Sequence, residues 1–245
     1  MKWSFTIFLI VFGVYVLIIG FGTWLSYQTG KRLDIGYGVA TSTRKVQLEI
    51  GDKVFSIPQN YIWSREDWKG GKTSGVNMQA HLPDLAGYTE QNKQEFDDPR
   101  IHNSVDILLT EHNIKGSKYS STSMTRKEVY QRTIFDYGRN EPKEMESVSG
   151  PYGLTRQLYI DPHERAIREL YVGTLTNGKF YWVECGLKTN VPSPHCTTYF
   201  AYSNQASVSY TFSKDRLEHW QKMDNDIRNL IQRFDITSTI KKGHE

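Results

Sequence analysis

Apolar positions along the chain fall into three regimes. From Trp3 to Leu25 they form an almost continuous run, WSFTIFLIVFGVYVLIIGFGTWL, with no charged residue. From Lys45 to about residue 212 they alternate with polar residues in short runs. From about 214 to 234 they recur at helical spacing. Alternation is the mark of a half-buried strand, and a period of 3–4 is that of a helix packed on one side. Strands are therefore predicted at 46–50, 53–57, 76–82, 104–112, 153–160, 165–175, 180–187, 197–202 and 206–212. Asn177-Gly178, between two β-rich runs, is a strong hairpin signal. It makes the last four runs consecutive antiparallel neighbours, with 153–160 a fifth. Short helices are predicted over 90–96, capped by Thr89, and after Thr125, where Glu128 completes the spacing of a capping box. The closing helix, about 214–234, carries Leu217, Trp220, Met223, Ile227, Leu230, Ile231 and Phe234 on one face. The stretches 59–75, 113–123 and 140–153 read as loops. The pattern as a whole predicts an α+β domain, mainly antiparallel sheet, with the C-terminal amphipathic helix packed on it.

The first regime is long enough to cross a bilayer core of about 30 Å as a helix. A cleaved signal peptide has a shorter apolar stretch and a small-residue cleavage site. Here the exit holds bulky Trp24 and Leu25. The segment is thus expected to be a signal anchor over 1–25, with Trp3, Trp24 and Tyr27 at the interfaces. Residues 26–44, rich in Gly, Ser and Thr, are expected to be a flexible tether, 45–236 the folded domain and 237–245 a frayed tail. Lys31, Arg32, Arg44 and Lys45 after the run outnumber Lys2 before it, which favours a cytoplasmic C-terminal side. A two-residue head before a first apolar segment is the usual layout of the opposite orientation. The two cysteines also suit an oxidising compartment, so the domain is expected on the non-cytoplasmic side of a single-pass anchor.

Charge adds an exclusion. The formal net charge is +3, and Lys2, Lys31 and Arg32 account for all of it, because no acidic residue precedes position 33. The folded part is balanced. It lacks the basic surface that phosphate backbones require, so nucleic acid is not an expected partner. Cys185 and Cys196 flank a Pro-containing loop between β-rich runs and are expected to form a disulfide.

Chemical motifs are sparse. WKGGKTSG suggests a phosphate loop, but Glu66 stands where that motif needs glycine. The histidines have no metal-ligand spacing, and there is no G-x-S-x-G nucleophile elbow. No catalytic residue, metal or cofactor is indicated. His81 and His112, near strand ends, could meet with Asp106 or Glu111. Tyr61, Trp63 and Trp68 lie in a polar, Gly-rich loop. Large aromatics there must dock internally or in a partner, and these three are the candidate partner contacts.

IPQNYIW (57–63) and HLPDLAGYTEQNKQEFDD (81–98) resemble a set of uncharacterised proteobacterial proteins with an N-terminal anchor, an I-P-x-N-Y-I segment and a P-D-L-x-G-Y-T segment. The resemblance implies an inner-membrane protein facing the periplasm and brings no activity. The functional expectation is a non-catalytic, membrane-anchored domain that binds a protein partner in the periplasm. An immunity-type protein that neutralises a toxin is one concrete form. The alternatives are an envelope enzyme acting on peptidoglycan or lipid, and a structural subunit of an envelope complex.

Overall fold

The computed structural model describes residues 20–22, 40–97, 103–112, 124–136, 141–161, 166–187 and 194–242. Most of the anchor expected over 1–25 lies outside these residues; Gly20–Gly22 are helical. Among the described residues no helix is long and apolar enough to cross a membrane. The tether expected over 26–44 also lies mostly outside them. Its last residues are already docked, since the amides of Gln59 and Asn60 donate to the carbonyls of Arg44 and Ser42.

Alternation builds the first hairpin. In β1 (Lys45–Ile50) and β2 (Lys53–Pro58), Val46, Leu48, Ile50, Phe55 and Ile57 turn inward. The turn between them needs glycine. Gly51 sits at φ +61°, and a Cβ there would collide with the backbone of Gln205. The expected loop that follows contains two 3-10 turns and β3 (Gly71–Lys72), which pairs parallel to β1 and completes a three-stranded sheet.

The main sheet has eight strands, all paired antiparallel. They are β4 (Gly75–His81), β5 (Ser104–Glu111), β8 (Met145–Ser149), β9 (Thr155–Asp161), β10 (Ala166–Thr174), β11 (Phe180–Cys185), β12 (His195–Ala201) and β13 (Ala206–Ser213), in the order β4-β5-β13-β12-β11-β10-β9-β8. The expected meander from β9 to β13 is present. β8 was expected to be loop. Its sequence, MESVS, shows no alternation because an edge strand that is exposed beyond Met145 needs none. The two-residue strands β6 (Phe135–Asp136) and β7 (Glu141–Pro142) pair separately.

Two of the helices are shorter than their sequence patterns. α1 (Lys93–Asp97) starts three residues later than expected, because Thr89 and Asn92 exchange backbone-to-side-chain hydrogen bonds of 2.7 and 3.2 Å and make a turn first. α2 (Arg126–Thr133) carries the predicted capping box of Thr125 and Glu128. The closing helix divides into a 3-10 segment, Lys214–His219, and α3 (Trp220–Phe234). The tail expected to fray forms α4 (Thr237–Lys242). It is tied down because the Val54 amide donates to Thr237 Oγ1 at 2.9 Å.

One core lies between the main sheet on one side and α3 with the three-stranded sheet on the other. All seven apolar residues expected on the last helix are buried in it. Gly173 leaves room on the sheet for Trp220, whose ring lies 4.5 Å from that of Tyr181. The opposite face is covered locally by α2, over Tyr159, Leu170 and Trp182.

Candidate functional site

The segments around Asn60 and Tyr88 meet in space. The Asn60 side-chain amide donates to the Tyr88 carbonyl at 3.1 Å, and the Tyr88 amide donates to the Asn60 carbonyl at 2.8 Å. Tyr61 Oη donates to the Leu85 carbonyl at 2.9 Å. A Cβ on Gly87 would stand 2.6 Å from Asn60 Nδ2 and 2.9 Å from the Tyr61 ring. Asn, Tyr and Gly in these segments thus hold one loop against the other.

That arrangement bears on the three aromatic residues. Tyr61 also packs edge-on against Phe234 at 5.2 Å. Trp68 Nε1 donates to the Ile62 carbonyl at 3.2 Å, and its ring lies against the core. Both dock within the domain. Trp63 is 39% exposed and lies on the surface.

His81 and His112 do not meet. β4 and β5 are antiparallel, with His81 opposite Ser104 and Gly75 opposite Thr110, so the two histidines sit at opposite ends of the hairpin. His81 instead lies 2.9 Å from both Asp84 and Glu95. Burial pulls its imidazole pKa down, and the hydrogen bonds to the two carboxylates outweigh that and leave it raised. Cys185 and Cys196 are disulfide-bonded, with both residues buried. Among the described residues no group of three or more His, Cys, Asp or Glu could hold a metal ion.

The disulfide marks an irregularity in the sheet. β11 and β12 pair only at Glu184–Thr197 and Cys185–Cys196, whereas β12 and β13 pair along seven positions. Beyond the disulfide the sheet forks. The N-terminus of α2 fills the gap. Trp182 Nε1 donates to the Arg126 carbonyl at 2.9 Å, and Arg126 Nε donates to the Tyr199 carbonyl at 2.6 Å. Backbone and side-chain bonds to α2 replace missing ladder bonds at the fork.

Arg126 passes through the fork into the core and ends on Asp224 of α3. Asp224 is fully buried. Its Oδ1 accepts from Arg126 and from Tyr210 Oη at 2.9 Å, and its Oδ2 accepts from Arg228 Nε at 2.8 Å. Burial pushes the Asp224 carboxyl up, and the two guanidinium groups outweigh it and hold the pKa below the usual range. Sequence reasoning missed this group. The visible signal is an aspartate between Trp220 and Ile227, on the apolar face of the closing helix.

Arg228 stands at the wall of a cleft of about 710 Å³ between β2, β12, the end of α3 and α4. Its guanidinium lies 3.8 Å from the centre of the Phe200 ring. On another wall Lys53 Nζ lies 3.2 Å from Asp235, which also accepts from Tyr202 Oη at 2.9 Å. Burial raises the Asp235 pKa, and hydrogen bonds from Thr237, Tyr202 and Lys53 bring it below its ordinary value. Both carboxylates beside the cleft are therefore held ionised. A general acid needs a carboxyl near its operating pH, and neither supplies one. What the cleft offers is fixed charge and hydrogen-bond donors.

No family model and no curated protein matches this sequence. Among solved structures the fold is similar to Smlt3025, an immunity protein of the Stenotrophomonas maltophilia type IV secretion system. The likeness has a TM-score of 0.56 at 14% identity and covers 79% of this chain and 94% of that one. At that identity it shows a shared fold.

Proposed function

We propose that this chain is a non-catalytic, immunity-type protein that binds and neutralises a toxin in the periplasm. The likeness to an immunity protein over nearly that protein's whole length is the observation that carries the reading. The buried disulfide supports an oxidising compartment. The uncharged apolar run from Trp3 to Leu25 supports an inner-membrane anchor, which would hold the domain where a delivered toxin arrives. The cleft supplies recognition chemistry without an acid–base pair, which fits a binding role.

The test is protection. Cells lacking the chain, challenged with the product of an adjacent toxin gene directed to the periplasm, are expected to lose viability. Restoring the full chain is expected to rescue them, and a C-terminal periplasmic reporter should be active. Equal survival with and without the chain would overturn the reading.

A further inference from the structure

The buried charges beside the cleft do not balance. Asp224 is a single carboxylate and receives two guanidinium groups, Arg126 and Arg228. Arg126 has a side chain only 6% exposed, sealed in the fork. Arg228 is 28% exposed, so the excess positive charge is displayed there, at the cleft wall. Lys53 and Asp235 across the cleft cancel each other at 3.2 Å. The cleft thus presents about one uncompensated positive charge.

That charge is held in place. The Arg228 ring contact at 3.8 Å and the 2.8 Å bond from Nε to Asp224 fix the guanidinium plane. Among the described residues its terminal NH2 groups have no protein partner. Gln232 and Ser238, exposed on the same cleft, also have unspent donors there. A planar guanidinium with a free edge matches the two oxygens of a carboxylate. A single excess charge matches a monoanion, whereas a phosphate dianion would face Asp235 on the same cleft.

We propose that the cleft beside Arg228 receives the carboxylate of an acidic side chain from a protein partner. The choice of a protein as its source rests on the immunity-type reading. Arg228 takes the carboxylate oxygens, Gln232 and Ser238 donate to the remaining lone pairs, and Asp224 keeps the guanidinium in position from below.

The experiment titrates the full chain with a blocked peptide carrying one glutamate among glycines. Parallel arms use the glutamine peptide and inorganic phosphate. The reading is the Arg228 and Gln232 side-chain N–H resonances. The glutamate peptide is expected to shift both, to bind at least about tenfold more tightly than the glutamine peptide, and to weaken as salt rises. Arg228→Gln is expected to abolish the response. Because that change also takes a partner from Asp224, Ser238→Trp serves as the second variant: it fills the cleft, leaves Asp224 untouched and is expected to abolish binding with melting unchanged. No shift with the glutamate peptide, equal binding by Ser238→Trp, or displacement by phosphate at lower concentration would each overturn the proposal. The titration uses this chain alone. Peptide binding with no protection of cells would therefore discard the toxin and keep the cleft; protection without peptide binding would do the reverse.

Discussion

Replacing Arg126 with methionine keeps most of the aliphatic volume and removes the charge that crosses the fork. Asp224 would then be fully buried with only the partly exposed Arg228 and the Tyr210 hydroxyl to satisfy it. The Tyr199 carbonyl would also lose its 2.6 Å donor. Breaking a buried ion pair from one side costs about 3–5 kcal/mol, because the surviving charge stays desolvated. For a domain of this size that is a fall in Tm of roughly 6–20 °C. Urea unfolding, followed by tryptophan fluorescence and far-ultraviolet circular dichroism with the disulfide intact, measures it. The double variant Arg126→Met/Asp224→Leu is expected to fall short of the summed single effects by about 2 kcal/mol, since neither charge is then stranded. pH supplies an independent reading. Asp224 has a native pKa below its unfolded value of about 3.9, so its contribution is present above that pH and is lost as pH falls through the native value. Asp224→Asn should therefore flatten the acid limb of the stability curve. An Arg126→Met protein within about 1 kcal/mol of wild type would refute the argument that this side chain is the plug of the fork.

Other outcomes follow from the same structure. Changing Cys185 and Cys196 to serine is expected to cost about 3 kcal/mol by loop entropy. Because the bridge sits where β11 and β12 last pair, hydrogen exchange should quicken first at the fork, and uniform loss of protection would contradict this. His81 has a raised pKa, so its clamp on Asp84 and Glu95 contributes fully below the unfolded value of about 6.5 and is lost as pH rises through the native one. The two carboxylates have lowered values, so their share is lost only as pH falls through those. Titration of the His81 ring by NMR should give a value above 6.5 in the wild type, returning toward it in Glu95→Gln. Tyr61→Ala and Trp68→Ala are expected to lower Tm, while Trp63→Ala leaves it within about 1 °C and changes only partner binding. Gly87→Ala should destabilise through its clash with Asn60, and a thermal melt equal to wild type would show that the loop yields instead.

Much of this architecture was legible because it is written in periods. Two-residue alternation in Val76, Met78 and Ala80 or in Val105, Ile107 and Leu109 allows only one buried face per strand, and Asn177-Gly178 dictates which strands are neighbours. The spacing of Leu217 to Phe234 predicted a helix with one apolar face, and Thr125 with Glu128 predicted where α2 begins. Elements without a period were not legible. β8 has no face to bury, and β3 exists only because β1 offers an open edge.

The site belongs to tertiary structure for a different reason. Arg126, Tyr210, Asp224 and Arg228 come from three separate elements, and each alone reads as an ordinary surface or core residue. Only after the sheet forks does one guanidinium reach through it, and only then is Asp224 neutralised twice over. Likewise, nothing local says whether Tyr61 and Trp68 face inward or outward; the loop Leu82–Tyr88 decides it for Tyr61 by arriving against it, and the Ile62 carbonyl and the core decide it for Trp68. Sequence carries the local rules of which face is apolar and where a chain turns. Electrostatic compensation and docking are sums over residues far apart in the chain, so they exist only once it is folded.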